Sequence, residues 1–175
     1  SLGLNAISMA GDVIKSLERL QREWATETAF EDQLDTPWTI LNIAEIHGGS
    51  AINIVPEHCH IELGVRPLPG QTVDSIMNRI HIALESAMAK AELDGGQITI
   101  HGGPSTPSLL TDPCCALMPT LLHHSLENQP IGVPFATDGG NLNRLGMETL
   151  VFGPGSIDQA HRADEYIPTK QLQKT

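Results

Sequence analysis

The sequence predicts an α/β protein whose first part is α+β: a ferredoxin-like plait lacking its first strand. Three observations predict it. Two amphipathic helical patterns, near residues 5–24 and 73–92, bracket two consecutive strand patterns. A short third strand pattern follows the second helix. The order helix, strand, strand, helix, strand is that of a split βαβ unit without its opening strand. The run Gly102-Gly-Pro-Ser-Thr-Pro107 then interrupts the chain, and it marks a domain boundary with residues 1–104 on one side and 105–175 on the other.

Taken in order, Asn5 suits an N-cap. Ile7, Ala10, Ile14, Leu17, Gln21 and Trp24 recur at three- and four-residue steps, which predicts the first helix. Residues 25–37 read as a polar loop closed by Pro37. Thr39–Ile46 is the first strand, and His47-Gly-Gly-Ser50 breaks it. The second strand is predicted from Ile52 to Arg66, interrupted at Pro56. It places Cys59, Ile61, Leu63 and Val65 on one face and His58, His60, Glu62, Gly64 and Arg66 on the other. The two make an antiparallel pair. Pro67-Leu-Pro-Gly70 ends the pair, and Thr72 caps a helix carrying Ile76, Ile80, Ala83, Leu84, Ala87 and Ala91. Asp94-Gly-Gly96 stops it, and Gln97–His101 is a short strand. Beyond the boundary, Asp112-Pro113 opens a helix to about 126. Leu150-Val151-Phe152 suits a buried strand near 148–152, and Thr169 begins a last helix.

The composition excludes several classes. A chain of 175 residues with a net charge of −11 lacks the basic patch that nucleic-acid binding requires. No apolar run reaches the ~20 residues of a membrane span. Only three cysteines occur, Cys59, Cys114 and Cys115, and they form neither a disulfide framework nor a Cys-x-x-Cys metal site, so a reducing cytoplasm is expected. Ser125, Ser156 and the cysteines lack the motif context of an acyl-enzyme nucleophile.

Candidate functional residues fall in four places. Gly153-Pro-Gly155 turns the chain into a polar loop with Asp158, His161, Asp164 and Glu165, where a neutral imidazole flanked by carboxylates suits a metal ligand. His58, His60 and Glu62 share a strand face and so could ligate a metal; the same pattern suits the solvent face of an antiparallel sheet, the reading preferred here. Arg66 stands at a strand end, where its guanidinium fork suits a carboxylate as well as a rim ion pair. Thr137-Asp-Gly-Gly140 offers backbone N–H groups to an anion or carbonyl oxygen.

Ile46-His-Gly-Gly-Ser-Ala-Ile-Asn-Ile-Val-Pro56, then Val65-Arg-Pro-Leu-Pro-Gly70, then Phe152–Tyr166, together resemble the zinc-dependent aminoacylase and carboxypeptidase family. That family includes acetylornithine deacetylase, succinyl-diaminopimelate desuccinylase and carboxypeptidase G. Arg66–Gly70 and Phe152–Tyr166 look most like the acetylornithine deacetylase branch. The resemblance implies that residues 1–104 are most of a lid domain that mediates homodimerisation. It implies that residues 105–175 are the C-terminal part of a catalytic α/β domain. It aligns His161 with a zinc ligand, Arg66 with the arginine that holds the substrate carboxylate, and Asn53 with a lid asparagine that reaches substrate. Gly139 and Gly140 fall in a loop whose backbone contacts substrate. Two zinc ions per complete site, replaceable by cobalt, and an N-acyl amino acid substrate are implied. The implied pathway is arginine biosynthesis. The family's His-x-Asp motif, bridging Asp and Glu-Glu pair with its general base belong upstream of Ser1, so an inactive partial chain is expected. The alternatives are another hydrolase of the family, or a non-catalytic plait for dimerisation or peptide binding.

Overall fold

The computed structural model describes residues 3–30, 34–125, 129–133, 135–160 and 162–173. The chain falls into two compact units, residues 1–31 with 36–105 and residues 32–35 with 106–175. The first is α+β. Its order is α1 (Ala6–Trp24), β1 (Ile40–Gly48), β2 (Cys59–Arg66) and α2 (Val73–Leu93).

Helix α1 starts where the Asn5 side chain accepts the Ser8 N–H, at 3.1 Å. Its buried stripe is Ala10, Val13, Leu17, Leu20 and Trp24. Val13 and Leu20 therefore occupy the centre assigned from sequence to Ile14 and Gln21, because the apolar arc is wide enough to admit either setting. Helix α2 opens with a capping box: Thr72 Oγ1 accepts the Ser75 N–H, and Ser75 Oγ accepts the Thr72 N–H. It buries Ile76, Ile80, Leu84, Ala87 and Ala91.

Leu17, Trp24 and Leu41 are fully buried at the centre of the core, with Ile43, Ile61, Leu63 and Val65 of the strands packed against it. Burial of each such side chain stabilises by about 1.5–3 kcal/mol. The indole Nε1 of Trp24 is buried and has no hydrogen-bond partner among the described residues. Part of that cost is offset by Arg79, whose guanidinium carbon lies 5.1 Å from the Trp24 ring centroid. The same guanidinium donates twice to Glu27, both at 2.6 Å, and so ties α2 to the segment after α1.

Strands β1 and β2 are antiparallel, as the alternation predicts. A bulge at Ala44 shifts the register between Ile43 and Glu45. It keeps Ile46 opposite Ile61 on the inner side and sets Glu45 opposite Glu62 and His47 opposite His60 on the outer side. β2 begins at Cys59 rather than Ile52. The intervening residues form a loop with Gly49 at φ +79°, Pro56 without an N–H, and Ile52 fully exposed. The expected strand 97–101 pairs with nothing among the described residues, although Ile98 and Ile100 still pack on the core. In a plait the last strand pairs with the first, and no strand precedes α1 among the described residues.

The second unit contains α3 (Met118–His124), α4 (Gly139–Arg144), a 3-10 turn (Ile157–Gln159) and α5 (Thr169–Leu172). The helix expected from Asp112 begins six residues later. Asp112 instead caps a preceding turn, accepting the Cys114 N–H on Oδ1 at 2.7 Å, and Pro119 lies in the first turn of α3. The buried strand expected at 148–152 is not formed among the described residues, and Val151 and Phe152 are exposed. An apolar run becomes a strand only when a neighbouring backbone pairs with it.

Candidate functional site

Arg66 is the last residue of β2, exposed, and opposite Ile40 in the pairing. The chain leaves it through a fixed turn. Gln71 Oε1 accepts the Leu68 N–H at 3.0 Å and the Thr39 hydroxyl at 2.5 Å. Thr39 and Leu68 are both buried, and Gly70 sits at φ +86°, where a Cβ would be strained. The turn fixes the backbone just beyond Arg66, and a guanidinium at such a strand end suits a bidentate carboxylate contact.

Asn53 lies in the turn between the strands, exposed, where the Ile54 N–H donates to the Ala51 carbonyl at 3.1 Å. That turn packs near the start of α1, through the Ala6 N–H bonded to the Pro56 carbonyl at 2.9 Å. Asn53 and Arg66 are therefore at opposite ends of the hairpin. β2 spans eight residues. At about 3.3 Å per residue the two ends are roughly 25 Å apart.

Gly139 and Gly140 open α4, and both are buried. A Cβ on Gly140 would run into the Pro107 carbonyl, and one on Gly139 would stand 2.9 Å from Leu109 Cδ2 and Thr137 Oγ1. The pair lets α4 pack on residues 107–109. The Gly139 N–H is already donated to Thr137 Oγ1, at 3.0 Å, so it is not the open donor that the sequence suggested. His161 lies outside the described residues.

His58 precedes β2, so it does not join His60 and Glu62 on the strand ladder. His60 Nε2 is 3.4 Å from Glu62 Oε1. Strand β1 repeats the arrangement, with His47 Nε2 at 2.8 Å from Glu45 Oε2. From the sequence, His47 reads as part of the strand break and Glu45 as an ordinary strand residue. The visible signal was a Glu/His pair two residues apart on each strand; the bulge that aligns them is not legible locally. Among the described residues no group of three or more His, Cys, Asp or Glu side chains is placed to hold a metal. A catalytic zinc needs about three protein ligands, so these residues do not make such a site on their own.

The shifted ionisable groups lie on the helices and on the segment after α1. The Arg79 hydrogen bond holds the Glu27 carboxyl below its ordinary range, and the Lys90 hydrogen bond does the same for Asp12. Lys90 is raised in return by its bond to Asp12, at 2.6 Å. No helix among the described residues is long and apolar enough to cross a membrane.

An α+β unit with two helices on a hairpin, and an arginine at the hairpin's end, is the setting in which the comparisons with known proteins fall. The sequence profile of the peptidase dimerisation domain of the M20 family matches residues 1–92, and the chain belongs to that family. Acetylornithine deacetylase from Salmonella heidelberg (strain SL476) is 31% identical over 99% of this chain and 44% of its own length. The acetylornithine deacetylases of Klebsiella pneumoniae (strain 342) and Myxococcus xanthus are 32% and 29% identical, over 99% and 97% of this chain. This chain thus spans less than half the length of the relatives it matches, 44% in each.

Proposed function

We propose that this chain supplies the substrate-recognising and dimerising part of a metal-dependent amidohydrolase that removes the acyl group from an N-acyl amino acid. N-acetylornithine is the proposed substrate, and arginine biosynthesis the proposed setting. The observation that carries this reading is Arg66, at the end of β2 beside the Gln71-pinned turn, in a chain whose relatives are named acetylornithine deacetylase. Residues 1–104 form the lid and residues 105–175 the C-terminal part of the catalytic half. Zinc is the proposed metal, and most of its ligands lie outside this chain, with His161 contributing one.

In this reading Arg66 binds the α-carboxylate as a bidentate fork and orients the acyl group. Gly139 and Gly140 make a tightly seated backbone edge beside the substrate. Asn53 cannot touch a ligand of amino-acid size held by Arg66 of the same hairpin, given the separation above. It serves the site of the partner protomer in a homodimer.

The test is Arg66→Lys in a polypeptide that also carries the upstream metal-binding half. A fork is lost and a point charge kept, so kcat/KM for N-acetylornithine falls by the equivalent of about 1–3 kcal/mol, roughly five- to 150-fold, mostly through KM. Metal content stays constant. An unchanged kcat/KM contradicts the clamp.

A further inference from the structure

We propose that the outer face of the β1–β2 hairpin is a transition-metal site built from His47 and His60. The bulge at Ala44 brings the two histidines into direct opposition across the ladder. Side chains opposed in this way have Cβ atoms about 4.5–5.5 Å apart, within reach of one ion at about 2.0–2.1 Å from each imidazole nitrogen. Both rings are 69% exposed, so an ion meets no barrier.

His47 has the hydrogen-bonded carboxylate partner that a metal-bound histidine requires, and His60 has a carboxylate at ion-pair distance. His47 Nε2 lies 2.8 Å from Glu45 Oε2, and His60 Nε2 lies 3.4 Å from Glu62 Oε1. A neutral imidazole that donates its Nε2–H to a carboxylate keeps its lone pair on Nδ1, which is then the ligating atom. The same register sets Glu45 opposite Glu62. Two carboxylates directly opposed repel, and a divalent cation between the rows relieves that repulsion. The other charged group on this side of β2 is Arg66. It is six residues from His60, roughly 20 Å away along the strand, and too distant to oppose the ion. The described residues supply no third protein ligand, so water completes the coordination. Imidazole donors favour zinc, nickel or copper over magnesium.

The site is independent of the hydrolase reading, and the experiment keeps the two apart. The chain is stripped with a chelator and titrated with Zn2+ at neutral pH by calorimetry. One ion is expected on this face. Removing a carboxylate partner of a metal-bound histidine costs roughly 10–100-fold in affinity, so Glu45→Gln weakens binding by about that factor. His47→Ala and His60→Ala weaken it at least as much, and the double variant abolishes it. All these side chains are exposed, so far-ultraviolet circular dichroism stays unchanged and a folding defect is recognised separately. His161→Ala leaves this binding intact, whatever becomes of the hydrolase site. The proposal is overturned if the histidine variants bind Zn2+ as the parent does, or if the parent binds none. It is also overturned if Mg2+ competes equally, which would make the carboxylate pair the ligand.

Discussion

Gly140 tests whether the glycine pair at α4 is there for backbone packing. In Gly140→Ala the new Cβ would overlap the Pro107 carbonyl and lie 3.2 Å from the Ser108 carbonyl carbon. Backbone has no rotamer with which to yield, so α4 must move off residues 107–109. Overpacking of this kind costs about 1–3 kcal/mol. A helical alanine gains up to about 1 kcal/mol over glycine, which offsets only part of it. Gly11→Ala is the control. It lies inside α1, and its Cβ would meet nothing within 4 Å, so it should stabilise by about 0.5–1 kcal/mol. Native-state hydrogen exchange reads both variants locally. Gly140→Ala should accelerate exchange of the α4 amides by roughly tenfold and leave α1 alone, since every 1.4 kcal/mol is a factor of ten. Unchanged protection in α4, or a gain equal to that of Gly11→Ala, would refute the packing argument.

Three further outcomes follow from the core, the ion pairs and the exposed surface. Leu17→Ala, at a fully buried position between α1 and its neighbours, should cost about 2–5 kcal/mol by denaturant unfolding; a loss below 1 kcal/mol would place Leu17 outside the core. Glu27 is depressed from its ordinary value of 4.5 when folded, so it contributes stability above that pH and loses it as pH falls through the lowered value. Glu27→Gln should flatten that acid limb, and a limb of unchanged steepness would count against the Arg79 fork. Ile46, Ile52, Val151 and Phe152 are exposed, so light scattering at micromolar concentration should find dimers or larger species; a monodisperse monomer would contradict the dimerising role.

The features legible in the sequence are those set by neighbours within a few residues. Helix α2 was readable because its i, i+4 apolar spacing and its Thr72 cap agree. The Cys59–Arg66 alternation was readable because a half-buried strand repeats every second residue. Features set by distant partners were not. Residues 97–101 and 148–152 have strand composition but no pairing backbone. The apolar arc of α1 admitted two settings, and packing against β1 and α2 selected the one through Val13 and Leu20. The bulge at Ala44 is set by pairing with β2, which no local pattern shows, and it alone reveals the His47–His60 opposition. Gly139 and Gly140 stand out locally as a glycine pair, but their contact with residues 107–109 is non-local. Arg66 and Asn53 were singled out by a family resemblance; their separation along the hairpin needed the register.

The most direct test is release of ornithine from N-acetylornithine, measured with increasing Zn2+, by a polypeptide that joins this chain to the family's upstream metal-binding half. The account predicts metal-dependent turnover that a chelator abolishes and that this chain alone does not sustain. Turnover by the 175-residue chain alone would contradict it, as would a metal-loaded joined polypeptide that binds N-acetylornithine and leaves it intact.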